Sequence, residues 1–85
     1  MWRVNVAGAA RKAVDRLPRK DQDRVLAALE EMAVDPFSGD IRKLGVDEYR
    51  RRVGSYRIRY TVFAQLSFVQ VTAIVRRTST TYRKR

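Results

Sequence analysis

Gly54-Ser55 stands between two runs of β-favouring residues, Glu48 to Val53 and Tyr56 to Phe63, and constrains the chain more than any other feature. A two-residue connection that begins with glycine joins antiparallel strands in the tightest hairpin and sets their register. Val53 then faces Tyr56, Arg52 faces Arg57, Arg51 faces Ile58, and Arg50 faces Arg59. Because strand side chains alternate between faces, Arg50, Arg52, Arg57 and Arg59 gather on one side of the sheet. Like charges directly opposite each other destabilise by a few tenths to about 1 kcal/mol per pair, and this hairpin stacks two such pairs. The obvious compensation is a phosphate-rich ligand, which a guanidinium chelates in bidentate fashion while keeping its charge at any working pH. The other use of basic strand residues is an exposed surface that resists aggregation.

The rest of the chain reads as a strand, two helices and then strands. Trp2, Val4 and Val6 alternate with Arg3 and Asn5 as a short first strand would. Ala10, Ala13, Val14 and Leu17 fall on one helical face, and Pro18 ends that helix while suiting the first turn of the next. In the second helix Val25, Leu26, Ala28, Leu29, Met32 and Ala33 form a broad apolar stripe that stops before Pro36. Residues 35–40 are a loop by composition, with Lys43-Leu44-Gly45 in its continuation. A last strand, Phe68 to Arg76, alternates Val69, Val71, Ala73 and Val75 against Phe68, Gln70, Thr72 and Ile74. The expected fold is α+β: one domain over residues 1–85, with an N-terminal strand and a two-helix hairpin packed on a small antiparallel sheet in the order β-α-α-β-β-β.

Charge is segregated along this order. The chain has 85 residues with 19 Lys or Arg against 9 Asp or Glu, a formal net charge of +10. All the acids lie within residues 1–48, where they balance the bases present, so the excess belongs wholly to residues 49–85. Such segregation is the mark of a polyanion-binding surface. With no Cys and no His there is no thiolate or imidazole metal ligand, no disulfide framework, and no Ser-His or Cys-His nucleophile. No metal or cofactor is expected. The start lacks a signal-peptide core and no run approaches the roughly 20 apolar residues of a membrane span, so the expected location is the cytoplasm, with no membrane partner.

The last ten residues, Arg76-Arg77-Thr78-Ser79-Thr80-Thr81-Tyr82-Arg83-Lys84-Arg85, set one aromatic among cations. Tyr82 could stack on a base or donate its phenolic proton, and Arg59, Arg76, Arg83, Lys84 and Arg85 would track a backbone. Clustered Arg with an accessible Tyr suits RNA better than duplex DNA, since no helix rich in Arg or Asn offers to read a major groove.

These residues together resemble the RelE/ParE superfamily of toxins from bacterial type II toxin-antitoxin pairs. The resemblance runs through the helical hairpin ending in Asp35-Pro36, Lys43-Leu44-Gly45, the hairpin from Tyr49 to Tyr60, and the ending from Arg76 to Tyr82. It implies a small α+β toxin that cuts messenger RNA in the ribosomal A site, the ribose 2′-OH attacking the adjacent phosphate. It further implies an active site of Arg50, Arg52, Arg57, Arg77 or Arg76, and Tyr82. On chemical grounds Arg57 and Arg77 suit the scissile phosphate, while Arg50 and Arg52 suit neighbouring phosphates or a deprotonated nucleophile. Tyr82 suits stacking or acid-base work. Glu48, on the same strand face as Arg50 and Arg52, is the only nearby carboxylate. The implied partners are an acidic antitoxin, the ribosome and its message. ParE-type members poison DNA gyrase instead, and a non-catalytic RNA-binding module could keep the same basic face.

Overall fold

The computed structural model describes residues 1–76. Strand β1 (Arg3–Val6) leads into helices α1 (Gly8–Asp15) and α2 (Arg19–Val34). Strands β2 (Ile41–Lys43), β3 (Glu48–Val53), β4 (Tyr56–Phe63) and β5 (Phe68–Arg76) follow, a 3₁₀ turn at Ala64–Leu66 joining the last two. The sheet order is β1-β5-β4-β3-β2. The expected α+β fold is present, with a short strand β2 inside the region read as loop and one parallel pairing, β1 on β5. Parallel strands need a long crossover, and here the connection from β1 to β5 runs through both helices and strands β2 to β4. Among the described residues no helix is long and apolar enough to cross a membrane.

The helices cover one sheet face. Ala10, Val14, Val25, Ala28 and Met32 pack on Ile58, Tyr60, Val62, Val69, Val71 and Ile74. Leu26, placed on the apolar stripe by its spacing, is 44% exposed at the stripe's edge. The β3–β4 register is the one that Gly54-Ser55 dictates, with Gly54 at φ +56°, a left-handed conformation suited to the tight turn.

Strand β5 departs from simple alternation. Tyr60 pairs with Val71 but Arg59 pairs with Ala73, so Thr72 is an extra residue in β5 and its hydroxyl donates to the Arg59 carbonyl at 3.2 Å. This bulge turns Ile74 into the core and leaves Ala73 and Val75 opposite Arg59 and Arg57, reversing the expected second half of the strand. The sequence carries no glycine there to announce it.

Arg51 is the one hairpin arginine on the helix side, and it is buried. Its guanidinium is paired with Glu31 of α2. Gly39 lies against the other side at φ +84°, where a Cβ would stand 2.7 Å from Arg51 Cζ. The loop between α2 and β2 is therefore wrapped on a buried cation. The Tyr60 hydroxyl donates to the Pro36 carbonyl at 2.7 Å, and Phe37 makes edge contacts with Trp2 and Tyr49.

Two outcomes test these anchors. Gly39→Ala should destabilise the protein by about 1–3 kcal/mol, read in urea as a lower midpoint with an unchanged m value. The Tyr60 phenol is pushed up to about 12 by its burial, against about 10 in an unfolded chain. The stability this lends is whole below pH 10 and is lost as pH rises through 12. Tyr60→Phe should lose about 1–3 kcal/mol by orphaning the Pro36 carbonyl, and should flatten the decline in stability between pH 10 and 12.

Candidate nucleic-acid interface

The sheet face turned away from the helices carries the arginines. Arg50 faces Arg59 and Arg52 faces Arg57 across β3 and β4, as the turn demands. Strand β2 adds a fifth, Arg42, which pairs with Arg50. Sequence reasoning missed Arg42 because three residues between a loop and a turn carry too little pattern to announce a strand. Its only signal was proximity to Lys43-Leu44-Gly45.

Crowding is visible in the electrostatics. Arg50 titrates below the ordinary guanidinium value because burial desolvates it and because Arg57, Arg42 and Arg52 repel its charge, with Asp40 a smaller opposing influence. Among the described residues, the Nε atoms of both Arg50 and Arg57 are buried with no hydrogen-bond partner. Only Arg52, among the described residues of this face, has an acid within ion-pair distance, Asp40 at 3.8 Å, and that contact is solvated. Unpaired donors and unneutralised charge at adjacent positions make a site for an anion with several oxygens, since each oxygen can take a charge-assisted hydrogen bond.

The cluster sits on the best-packed part of the molecule. On β4 the alternate residues Tyr56, Ile58, Tyr60 and Val62 are all buried, so the backbone carrying Arg57 and Arg59 is fixed by the core beneath it. Ala73 and Val75, brought to this face by the bulge, are short side chains paired opposite Arg59 and Arg57. Next to the Arg50–Arg59 pair is a depression of about 290 Å³ lined by Leu44, Glu48, Arg59, Thr61, Thr72 and Ala73, together with Tyr49 and Tyr60.

The structure thus brings together four of the residues picked out from sequence, Arg50, Arg52, Arg57 and Arg59. Arg76 stands elsewhere. It pairs with Tyr56, whose ring lies on the helix side and whose hydroxyl donates to Asp21 at 3.0 Å. The Tyr56 phenol titrates above its ordinary value through burial and that acidic acceptor, with Arg76 pulling the other way. Arg77, Tyr82, Arg83, Lys84 and Arg85 lie outside the described residues.

Comparison with known proteins places this geometry. No curated protein matches the sequence. The archaeal RelE of the RelE-RelB complex from Pyrococcus horikoshii OT3 superposes with a TM-score of 0.84 at 27% identity, covering 92% of this chain and 97% of that one. The toxin-antitoxin complex RelBE2 from Mycobacterium tuberculosis gives 0.78 at 19% identity over 89% and 98% of the two chains. The isolated E. coli RelE toxin gives 0.79 at 18% over 92% and 86%. Residues 4–80 match the family model described as the ParE toxin of the type II toxin-antitoxin system, parDE. A sheet with an open arginine face, backed by a helical hairpin and carrying that family's signature over nearly its whole length, belongs to the ParE toxins, within the RelE/ParE superfamily of type II toxin-antitoxin systems.

Proposed function

We propose that this toxin is a ribosome-dependent endoribonuclease that binds messenger RNA along its arginine face and cleaves it in the ribosomal A site. The observation that carries the reading is the opposed pairing of Arg50 with Arg59 and of Arg52 with Arg57, with the Nε donors of Arg50 and Arg57 buried and unpartnered. In the reaction the ribose 2′ oxygen forms a bond to phosphorus as the bond from phosphorus to the 5′ oxygen breaks. The proton lost from the 2′-OH is balanced by one gained at the leaving oxygen. Negative charge accumulates on the non-bridging and leaving oxygens, where fixed cations on a packed strand lower the barrier without having to reorganise. Arg57 takes the scissile phosphate, Arg50 and Arg52 take the neighbouring phosphates and the developing 2′ oxyanion, and Arg42 and Arg59 extend the track. Arg77 joins Arg57, and Tyr82 stacks on a base or supplies the proton to the 5′ oxygen.

The partner is a RelB-like antitoxin, since the Pyrococcus horikoshii relative is solved as a RelE-RelB complex. An acidic segment suits the +10 chain and would neutralise the arginine face. A soluble, cytoplasmic pair fits a target on the ribosome. The match to the ParE family favours a second reading, inhibition of DNA gyrase through the same basic surface.

Primer extension in a translating extract separates the two. Cuts inside codons that require ribosomes are expected, with Arg57→Ala lowering the cutting rate by about 100- to 1,000-fold. Arg77→Ala should abolish most cutting, and Tyr82→Phe tells whether the phenol or only the ring is needed. Intact messages together with blocked supercoiling would establish the gyrase reading. Anion binding has its own signature. Inorganic phosphate should raise the melting temperature of the wild type by mass action, and Arg50→Met should remove most of that rise. At low salt and without phosphate, Arg50→Met should itself be more stable by about 0.2–1 kcal/mol because a like-charge pair is gone.

A further inference from the structure

The depression beside the Arg50–Arg59 pair holds a feature that phosphate binding leaves unexplained. Among its lining residues is one carboxylate, Glu48, on the same strand face as Arg50 and Arg52 and paired across the strands with Thr61. Among the described residues the Glu48 side chain makes neither a hydrogen bond nor an ion pair, although arginines stand one pleat away. The carboxylate lies over the turn after β2, where a Cβ on Gly45 would stand 3.6 Å from Glu48 Oε1. An acid that served only to neutralise the arginines would be expected to pair with one of them.

The bulge makes the room. Were β5 regular through Thr72, Ala73 would turn to the helix side and a larger side chain would stand opposite Arg59. With Thr72 inserted, only the methyl of Ala73 is paired opposite Arg59, while Thr72 lines the same depression with its hydroxyl committed to the Arg59 carbonyl. The result is a space of about 290 Å³, on the scale of one nucleobase, with a guanidinium on one wall, a free carboxylate on another and the Thr61 hydroxyl between. Unstacked RNA bases are read in this way, stacked on an arginine plane and hydrogen-bonded along an edge.

Resting on the reading that this face binds RNA, we propose that the depression is a nucleobase pocket, and that Glu48 selects bases bearing an exocyclic amino group over uracil. A carboxylate is acceptor-only, so it takes the amino hydrogens of guanine, adenine or cytosine, whereas uracil offers it only the N3–H, flanked on both sides by carbonyl lone pairs that repel the carboxylate. Arg59 both stacks on the base and holds its phosphate. Glu48 thus sets which nucleotide is seated while the other arginines hold the backbone.

The probes are the four ribonucleoside 3′,5′-bisphosphates, which carry phosphates and one base but no internal bond to cut, titrated by calorimetry into the full-length toxin. Guanosine, adenosine and cytidine bisphosphates should bind at least about fivefold more tightly than the uridine compound. In Glu48→Ala that ranking should collapse, and Glu48→Gln, which keeps one acceptor oxygen, should retain part of it. Equal binding of all four to the wild type would overturn the pocket. So would a ranking that survives Glu48→Ala, or a gain in affinity for all four alike, which would mark Glu48 as a repulsive charge only. The outcome is independent of cleavage: a base ranking with uncut messages would refute the nuclease reading and keep the pocket, and cut messages with no ranking would do the reverse.

Discussion

Pairing Val53 with Tyr56 decides on which side of the sheet every arginine of the hairpin stands. With β4 held in place, slipping that register by one residue would send Arg50 and Arg52 against the helices and bring Arg51 into solvent, separating the two arginine sets, because a strand's side chains change face together. The core forbids it. Ile58, Tyr60 and Val62 are almost wholly buried on the same strand that carries Arg57 and Arg59, so the burial of one set enforces the exposure of the other. Hydrophobic burial beneath β4 therefore holds together charges that would separate if left to themselves.

Arg51 shows what the same residue type does when it faces inward. Its charge is compensated by Glu31 and shielded beneath Gly39, and removing either neighbour would leave a buried cation poorly accommodated. The pairing has a consequence for the other face. It clamps the loop that leads into β2, and β2 in turn presents Arg42 to Arg50. An inward-facing arginine paired with an exposed glutamate thus extends the cluster on the other face by one residue, with Tyr60 on Pro36 and Phe37 on Trp2 and Tyr49 holding the same loop from the core side.

What could be read from the residues alone follows how local the cause is. A two-residue turn acts through its immediate neighbours, so the β3–β4 register and the four-arginine face were legible, as were the helices broken at Pro18. The bulge at Thr72 was not, because it falls where β5 leaves its pairing with β1 and continues beside β4, a position defined only by segments far apart in sequence. Simple alternation consequently puts Ala73 and Val75 on one face with Val69 and Val71, and groups Arg76 with arginines from which the bulge separates it. Strand β2 escaped for a related reason: its three residues are extended because β3 offers an edge, and nothing in Ile41-Arg42-Lys43 demands it.

The fold and the charge thus act on each other in opposite senses. The excess of ten positive charges carried by the second half of the chain lowers the stability of the folded state, most of all where guanidiniums stand opposite one another. Any multivalent anion seated there relieves that repulsion, so binding and stability rise together, and they do so through the same atoms. Moving the arginines to loops would lessen the strain, but it would also release the geometry that makes the cluster useful, since side chains on mobile backbone must be ordered when the ligand arrives. Placing them on the central strands of the sheet keeps the repulsion permanent in the free protein and makes its relief specific to a ligand whose charges are spaced like the strands.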